Sequence, residues 1–207
     1  MFKNAIVYRI GPDWSATVEQ IEASLDAERF VPCGASQEKS VGWIEPRGEA
    51  HGLLAESVGG QVILRLMLET RSLPGTVITK KAKERAAQIE TTTGRKPGKK
   101  ELRDIKEDIK LELMPLAFTK ESSTLVWIDP EARLLVLGAG SQARADEVVT
   151  LLVKALAGFA VTLINTHVSP TAAMSEWLIS QEPPAGFTVD QECELKAADE
   201  TKAVVRY

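Results

Sequence analysis

Hydrophobic positions along the chain recur with two periods, one near two residues and one near three and a half, and these mark out strands and helices in turn. Phe2 to Ile10 alternates loosely, as a strand does, and Gly11-Pro12-Asp13 closes it with turn chemistry. Thr17 and Gln20 stand at capping-box spacing, and Val18, Ile21 and Leu25 share one helical face, so Thr17 to Glu28 is predicted as a helix packed inward. Ser40 to Ile44 reads as a short strand carrying Trp43 and closed by Pro46. Gly59-Gly60 then turns the chain into the β-like run from Gln61 to Leu68, which should share a sheet with it.

Leu73-Pro74-Gly75 breaks that pattern. Ile78, Ala82, Arg85, Ala86 and Ile89 mark one helix and Leu102, Ile105, Ile109 and Leu113 a second, with Gly94, Pro97 and Gly98 as breakers between them. Each helix has only a narrow apolar stripe, which predicts a hairpin that projects from the body. After Pro115, strands are expected from Thr124 to Asp129 and Arg133 to Leu137 around the turn Asp129-Pro130-Glu131-Ala132. A helix capped by Ser141 should run from Gln142 to Ala157, followed by a strand from Val161 to Ile164, a helix from Thr171 to Ile179 and a last strand near Ala203 to Tyr207. The predicted class is α+β, with antiparallel or mixed sheets, packed helices and a projecting basic hairpin. Its parts are residues 1–72 and 118–207 as body, the latter incomplete at its C-terminus, and 73–117 as arm.

Charge changes the picture most. The formal net charge of the 207 residues is −4, yet residues 71 to 120 hold 13 of the 25 Lys and Arg and only 7 of the 29 Asp and Glu. That segment is +6 in an otherwise −10 chain, a basic module in an acidic frame. Arg95, Lys96, Lys99 and Lys100 lie within six residues without an acid, and Lys80, Lys81, Lys83 and Arg85 form a second cluster. Glu101 with Lys106 and Glu107 with Lys110 equally suit a solvated helix face, so the density of cations near the loop is what favours an anionic partner.

Candidate chemistry is sparse. The only histidines, His51 and His167, stand in no metal spacing, and Cys33 and Cys193 form no CxxC pair, which argues against a zinc ribbon or a disulfide framework and for a reducing, cytoplasmic setting. The N-terminus has no signal-peptide pattern, and no run of 18 apolar residues is present. Gly138-Ala139-Gly140-Ser141 looks like a phosphate-binding turn but lacks the third glycine and a Walker lysine, so a tight turn into a Ser141-capped helix accounts for it better. Cys33 has no neighbouring base to activate it and reads as a small buried side chain. No catalytic residue, cofactor or metal is expected.

One family matches an ordered series of landmarks: Phe2-Lys3-Asn4, Tyr8-Arg9, Phe30-Val31-Pro32-Cys33-Gly34, Gly42-Trp43, Leu113-Met114-Pro115-Leu116-Ala117-Phe118, Trp127-Ile128-Asp129 and Glu176-Trp177. The chain resembles the RdgC family of recombination-associated proteins over nearly its whole length. The resemblance implies a nucleoid-associated, non-enzymatic bacterial protein that binds double-stranded DNA with little sequence preference. It also implies a ring-shaped homodimer with a basic hole, and restraint of RecA-promoted recombination. By position, Arg95 matches a basic residue of the family's arm. Phe118 matches an aromatic beside the DNA path, unless it anchors the helix end in the core. Lys80, Lys83, Lys96, Lys99 and Lys100 are DNA-binding candidates from charge alone. Leu116 and Glu121 depart from the basic and aromatic residues that the family can carry there. Members also run on past Tyr207, which implies a missing C-terminal part with further basic residues and dimer contacts. A protein-interaction module, the arm mediating dimerisation or docking to a recombination partner, is the competing reading.

Overall fold

A computed structural model describes residues 2–190, 192–197 and 203–206. Its longest pairing joins β4 (Gln61–Ser72) to β5 (Phe118–Asp129), antiparallel from Val62 opposite Ile128 to Ser72 opposite Phe118. Both strands are longer than their apolar alternation predicts. Residues 118 to 123 are all exposed and supply no hydrophobic signal, so their strand conformation comes from pairing with β4.

The remaining strands complete one sheet of seven. β1 (Ile6–Ile10), β2 (Lys39–Ile44), β3 (Glu56–Val58), β6 (Leu134–Leu137) and β7 (Val161–Leu163) give the order β2-β4-β5-β6-β1-β7, with β3 also on β4 and every pairing antiparallel. Helix α1 (Val18–Asp26) has its predicted capping box, in which Gln20 N–H donates to Thr17 Oγ1 and Thr17 N–H to Gln20 Oε1. Helix α4 (Gln142–Ala155) is capped by the Ser141 hydroxyl, which accepts from Arg144 N–H. Ile21 and Leu25 of α1 and Val148 and Leu152 of α4 join Trp43, Leu64, Leu66, Val126, Ile128, Leu135 and Leu137 in one buried core. The α+β class holds, and the turn at 138–141 leads directly into that capped helix.

Between Ser72 and Phe118 the chain leaves the sheet as α2 (Gly75–Thr93) and α3 (Lys99–Leu113), then returns through a 3-10 turn at Met114–Leu116. The helical hairpin is thus an insertion in a β-hairpin, its two ends held side by side by the last pair of the ladder. It has its own apolar cluster of buried Ala82, Ile105 and Ile109 with Ile78, Ile89 and Leu113 against it, separate from the sheet core.

The chain divides into two units after Leu163, a boundary that sequence patterning does not place. The second unit contains α5 (Pro170–Ser180), capped by Ser169, and the paired strands β8 (Glu194–Lys196) and β9 (Val204–Arg206). No residue of α5 is buried, and Trp177 lies 5.3 Å from Phe187 between ring centroids.

Candidate nucleic-acid interface

Local sequence explains how the arm presents its charge. Ile78, Ala82 and Ile89 recur on one face of α2, and Leu102, Ile105, Ile109 and Leu113 on one face of α3, so the two helices close on each other through these stripes. Gly94 ends α2 with a φ of +70°, a left-handed conformation that glycine adopts without strain, and Gly98 starts α3. Lys80 and Lys83 stand about 160° and 100° around the helix from Ala82, at the helical step of about 100° per residue, so Lys80 points away from α3 and Lys83 to its flank. Both are exposed. Together with Gly75, Thr76, Thr79 and Glu84 they border a shallow open hollow near the start of α2.

At the tip, the cations are not equally available. Arg95 holds Glu101 through two hydrogen bonds of 2.8 and 3.2 Å, which raises the guanidinium's pKa and lowers that of the carboxylate. Lys96 lies 3.8 Å from Glu90. Lys99 and Lys100 are exposed and form no ion pair among the described residues. Exposed ion pairs are weak, because solvent screens them, so an incoming phosphate competes readily for Arg95 and Lys96.

The structure adds two residues that cation density alone does not single out. Lys99, Arg103, Lys106 and Lys110 are spaced i, i+4, i+7 and i+11, a basic stripe along one flank of α3. Glu101, Asp104, Asp108 and Glu112 follow the same kind of spacing along the other. Arg85 and Arg95 cross the hairpin to Glu112 and Glu101 on that acidic flank, at 2.9 and 2.8 Å. Arg103 and Lys106 remain exposed without an ion pair among the described residues, whereas Lys110 pairs with Glu38 at 2.5 Å. The periodicity was visible in the sequence, but intervening Asp104 and Glu107 mask it when charge is counted in windows.

Phe118 does not anchor the helix end. It is 87% exposed, and Leu116 beside it is 78% exposed, so both stand at the root of the arm with open faces. The helix end is held instead by buried Met114 and by Arg71, which donates to the carbonyls of Met114 and Ala117 at 3.3 and 3.2 Å.

Elsewhere the candidates for chemistry are quiet. Cys33 is buried, and burial together with the nearby Glu69 charge pushes its thiol pKa up. His51 and His167 are exposed. Among the described residues, no group of three or more His, Cys, Asp or Glu is placed to hold a metal, and no helix is long and apolar enough to cross a membrane.

Comparison with known proteins is consistent over the whole chain. The family model described as "Putative exonuclease, RdgC" matches residues 1–207. The recombination-associated protein RdgC of Herminiimonas arsenicoxydans is 44% identical over 206 residues, covering 100% of this chain and 68% of that protein. Those of Dechloromonas aromatica and Cupriavidus necator are 43% and 45% identical, again over 100% of this chain and over 67% and 68% of their own lengths.

Proposed function

Because this chain belongs to the RdgC family of recombination-associated proteins, we propose that it binds double-stranded DNA without sequence preference, through phosphate contacts along the helical arm. The observation that carries this reading is the set of seven exposed cations of the arm, Lys80, Lys81, Lys83, Lys99, Lys100, Arg103 and Lys106, which form no ion pair among the described residues. A cation held by a neighbouring carboxylate is already neutralised, whereas these seven have only water and counterions to give up. Releasing those counterions on meeting a polyanion is the main source of sequence-independent affinity. Arg95 and Lys96 join them once a phosphate displaces Glu101 and Glu90.

In this reading the protein acts as a homodimer that encloses duplex DNA, is nucleoid-associated, and restrains RecA-type strand exchange by occupying the duplex. The acidic remainder of the chain repels the same polyanion and confines contact to the arm. The proposed reading is one of binding and not of cleavage. The word exonuclease in the family description makes this worth a direct assay: a linear, end-labelled duplex incubated with Mg²⁺ or Mn²⁺ should stay intact.

The decisive experiment is a salt titration of binding to two unrelated duplexes by fluorescence anisotropy. With seven phosphate contacts, log K should fall against log salt with a slope of about −6, alike for both duplexes. Changing Lys99, Arg103 and Lys106 together to Ala should flatten that slope by about 3. Binding that is absent at low salt, or that ignores the triple change, refutes the reading.

A protein-interaction role for the arm has one observation in its favour, the exposed Leu111, Leu116 and Phe118 near its root. Loss of the dimer on changing Leu116 and Phe118 to Ser, with DNA affinity retained, would assign that surface to protein contact.

A further inference from the structure

The arm leaves the sheet at Ser72 and returns at Phe118, and its apolar cluster closes on itself. Something other than a shared core must therefore fix its angle to the sheet. Arg71, the penultimate residue of β4, lies at this junction. Its guanidinium donates to Cys33 O at 3.1 Å, to Gly34 O at 3.3 Å from Nε and 3.1 Å from Nη2, to Met114 O at 3.3 Å and to Ala117 O at 3.2 Å. Cys33 and Gly34 belong to the loop between α1 and β2, and Met114 and Ala117 bracket the 3-10 turn that ends α3. One side chain thus ties the body to the arm through four backbone carbonyls.

Neighbouring groups tighten the same joint. Two residues before Arg71 on the same strand, Glu69 accepts from Cys33 N–H at 2.5 Å, so the loop is gripped by its donor as well as by its acceptors. Arg71 N–H donates to Glu38 O at 2.8 Å, and the Glu38 carboxylate meets Lys110 of α3 at 2.5 Å. The carbonyls at the end of α3 also carry the negative end of the helix dipole, which favours a cation there. A planar guanidinium with five donors can serve four divergent carbonyls, whereas a lysine ammonium concentrates three donors at one point.

We propose that Arg71 is a positioning residue for DNA binding, a polar clamp that sets the direction of the arm relative to the sheet. This rests on the reading of the arm as the DNA-binding element. Leverage makes the clamp consequential: α3 is 15 residues long, which is about 22 Å at the rise of an α-helix, so a tilt of about 10° at the root moves the tip by about 4 Å. A shift of that size takes Lys99 and Lys100 off phosphates that Lys106 still reaches.

The test measures the arm's direction separately from binding. In the full chain carrying Cys193→Ser, with buried Cys33 left in place, spin labels at Thr92→Cys near the tip and Glu131→Cys in the turn between β5 and β6 report the distance by pulsed electron paramagnetic resonance. With Arg71 present the distribution should be narrow. Arg71→Ala should broaden it, and Arg71→Lys, which keeps the charge and safeguards the measurement should the alanine variant fail to fold, should broaden it in part. Affinity for a mixed duplex should fall about fivefold in the alanine variant, within the range of changes that act at a distance from a ligand, and the salt slope should flatten by up to about 2 as Lys99 and Lys100 leave their phosphates, always together with the broadened distances. A distribution that stays narrow in both variants overturns the proposal. So does a slope that falls by about one with the distances unchanged, because Arg71 would then be a phosphate contact itself. If the unaltered chain binds no DNA, the functional reading fails, and the distance measurement still decides whether Arg71 holds the arm.

Discussion

Replacing Ile109 by Ala should unfold the arm while leaving the sheet folded. Ile109 is 2% exposed and sits in a cluster whose other buried members, among the described residues, are Ala82 and Ile105. The substitution removes three carbons, at about 0.8 kcal/mol each, and the cavity left behind brings the loss to about 3 kcal/mol. In the main core a loss of that size is spread over a large cooperative unit. In the arm it falls on a hairpin with little else to sustain it, because helices of 19 and 15 residues are marginal on their own in water. The assay is hydrogen exchange read peptide by peptide. Amides of α2 and α3 should lose protection in Ile109→Ala, those of β4, β5 and α4 should keep it, and DNA affinity should drop with the arm. Leu135→Ala, a fully buried site in the sheet core, is the control and should lower protection throughout the first unit. If Ile109→Ala lowers the sheet's protection as much as Leu135→Ala does, or leaves the arm protected, then the arm is not a separately held element.

Other positions give sharp expectations. A Cβ at Gly42 would lie 2.4 Å from Phe30 Cα and 2.5 Å from Phe30 N, both backbone atoms, so Gly42→Ala should cost about 4 kcal/mol or more in thermal unfolding. Gly75→Ala, with nothing within 4 Å of the new Cβ, should stabilise by about 0.5 kcal/mol. Of the two thiols, half-exposed Cys193 should react with Ellman's reagent at mildly alkaline pH well before Cys33, whose burial and raised pKa protect it until unfolding. The Cys33 N–H holds the Glu69 carboxyl below the usual carboxylate range. A lowered folded pKa means stability that is present above the unfolded value and lost as pH falls through the folded one. Denaturant midpoints should therefore decline more on acidification in the unaltered protein than in Glu69→Gln, and equal declines would contradict the assignment.

Much of the fold is legible because its core elements carry a clean period. The α1 and α4 caps, the apolar faces that bury Ile21, Leu25, Val148 and Leu152, and the two arm helices all follow from local spacing. What is not legible is set by partners distant in sequence. Residues 118 to 123 have no apolar alternation and become strand because β4 is opposite them. Glu69 looks like a solvent-facing strand residue, yet it is 5% exposed because the loop at Cys33 needs an acceptor. Arg71 counts as one more cation of the basic segment, although its charge is spent on carbonyls of the body and arm.

That last distinction reshapes the candidate site. A window count treats the cations between residues 71 and 120 as equivalent, but their partners sort them into three kinds. Arg71 and Lys110 fix the arm to the body, and Arg85 and Arg95 stitch the acidic flank across the hairpin. Lys80, Lys81, Lys83, Lys99, Lys100, Arg103, Lys106 and Lys120 are left facing solvent, and Lys96, 3.8 Å from Glu90, is held only loosely. Substitutions in the first kind should act on geometry and in the second on the hairpin's closure, and only the third should register fully in the salt dependence of binding. A charge-to-alanine scan that gave equal salt slopes for Arg85 and Arg103 would show that these partners do not govern availability.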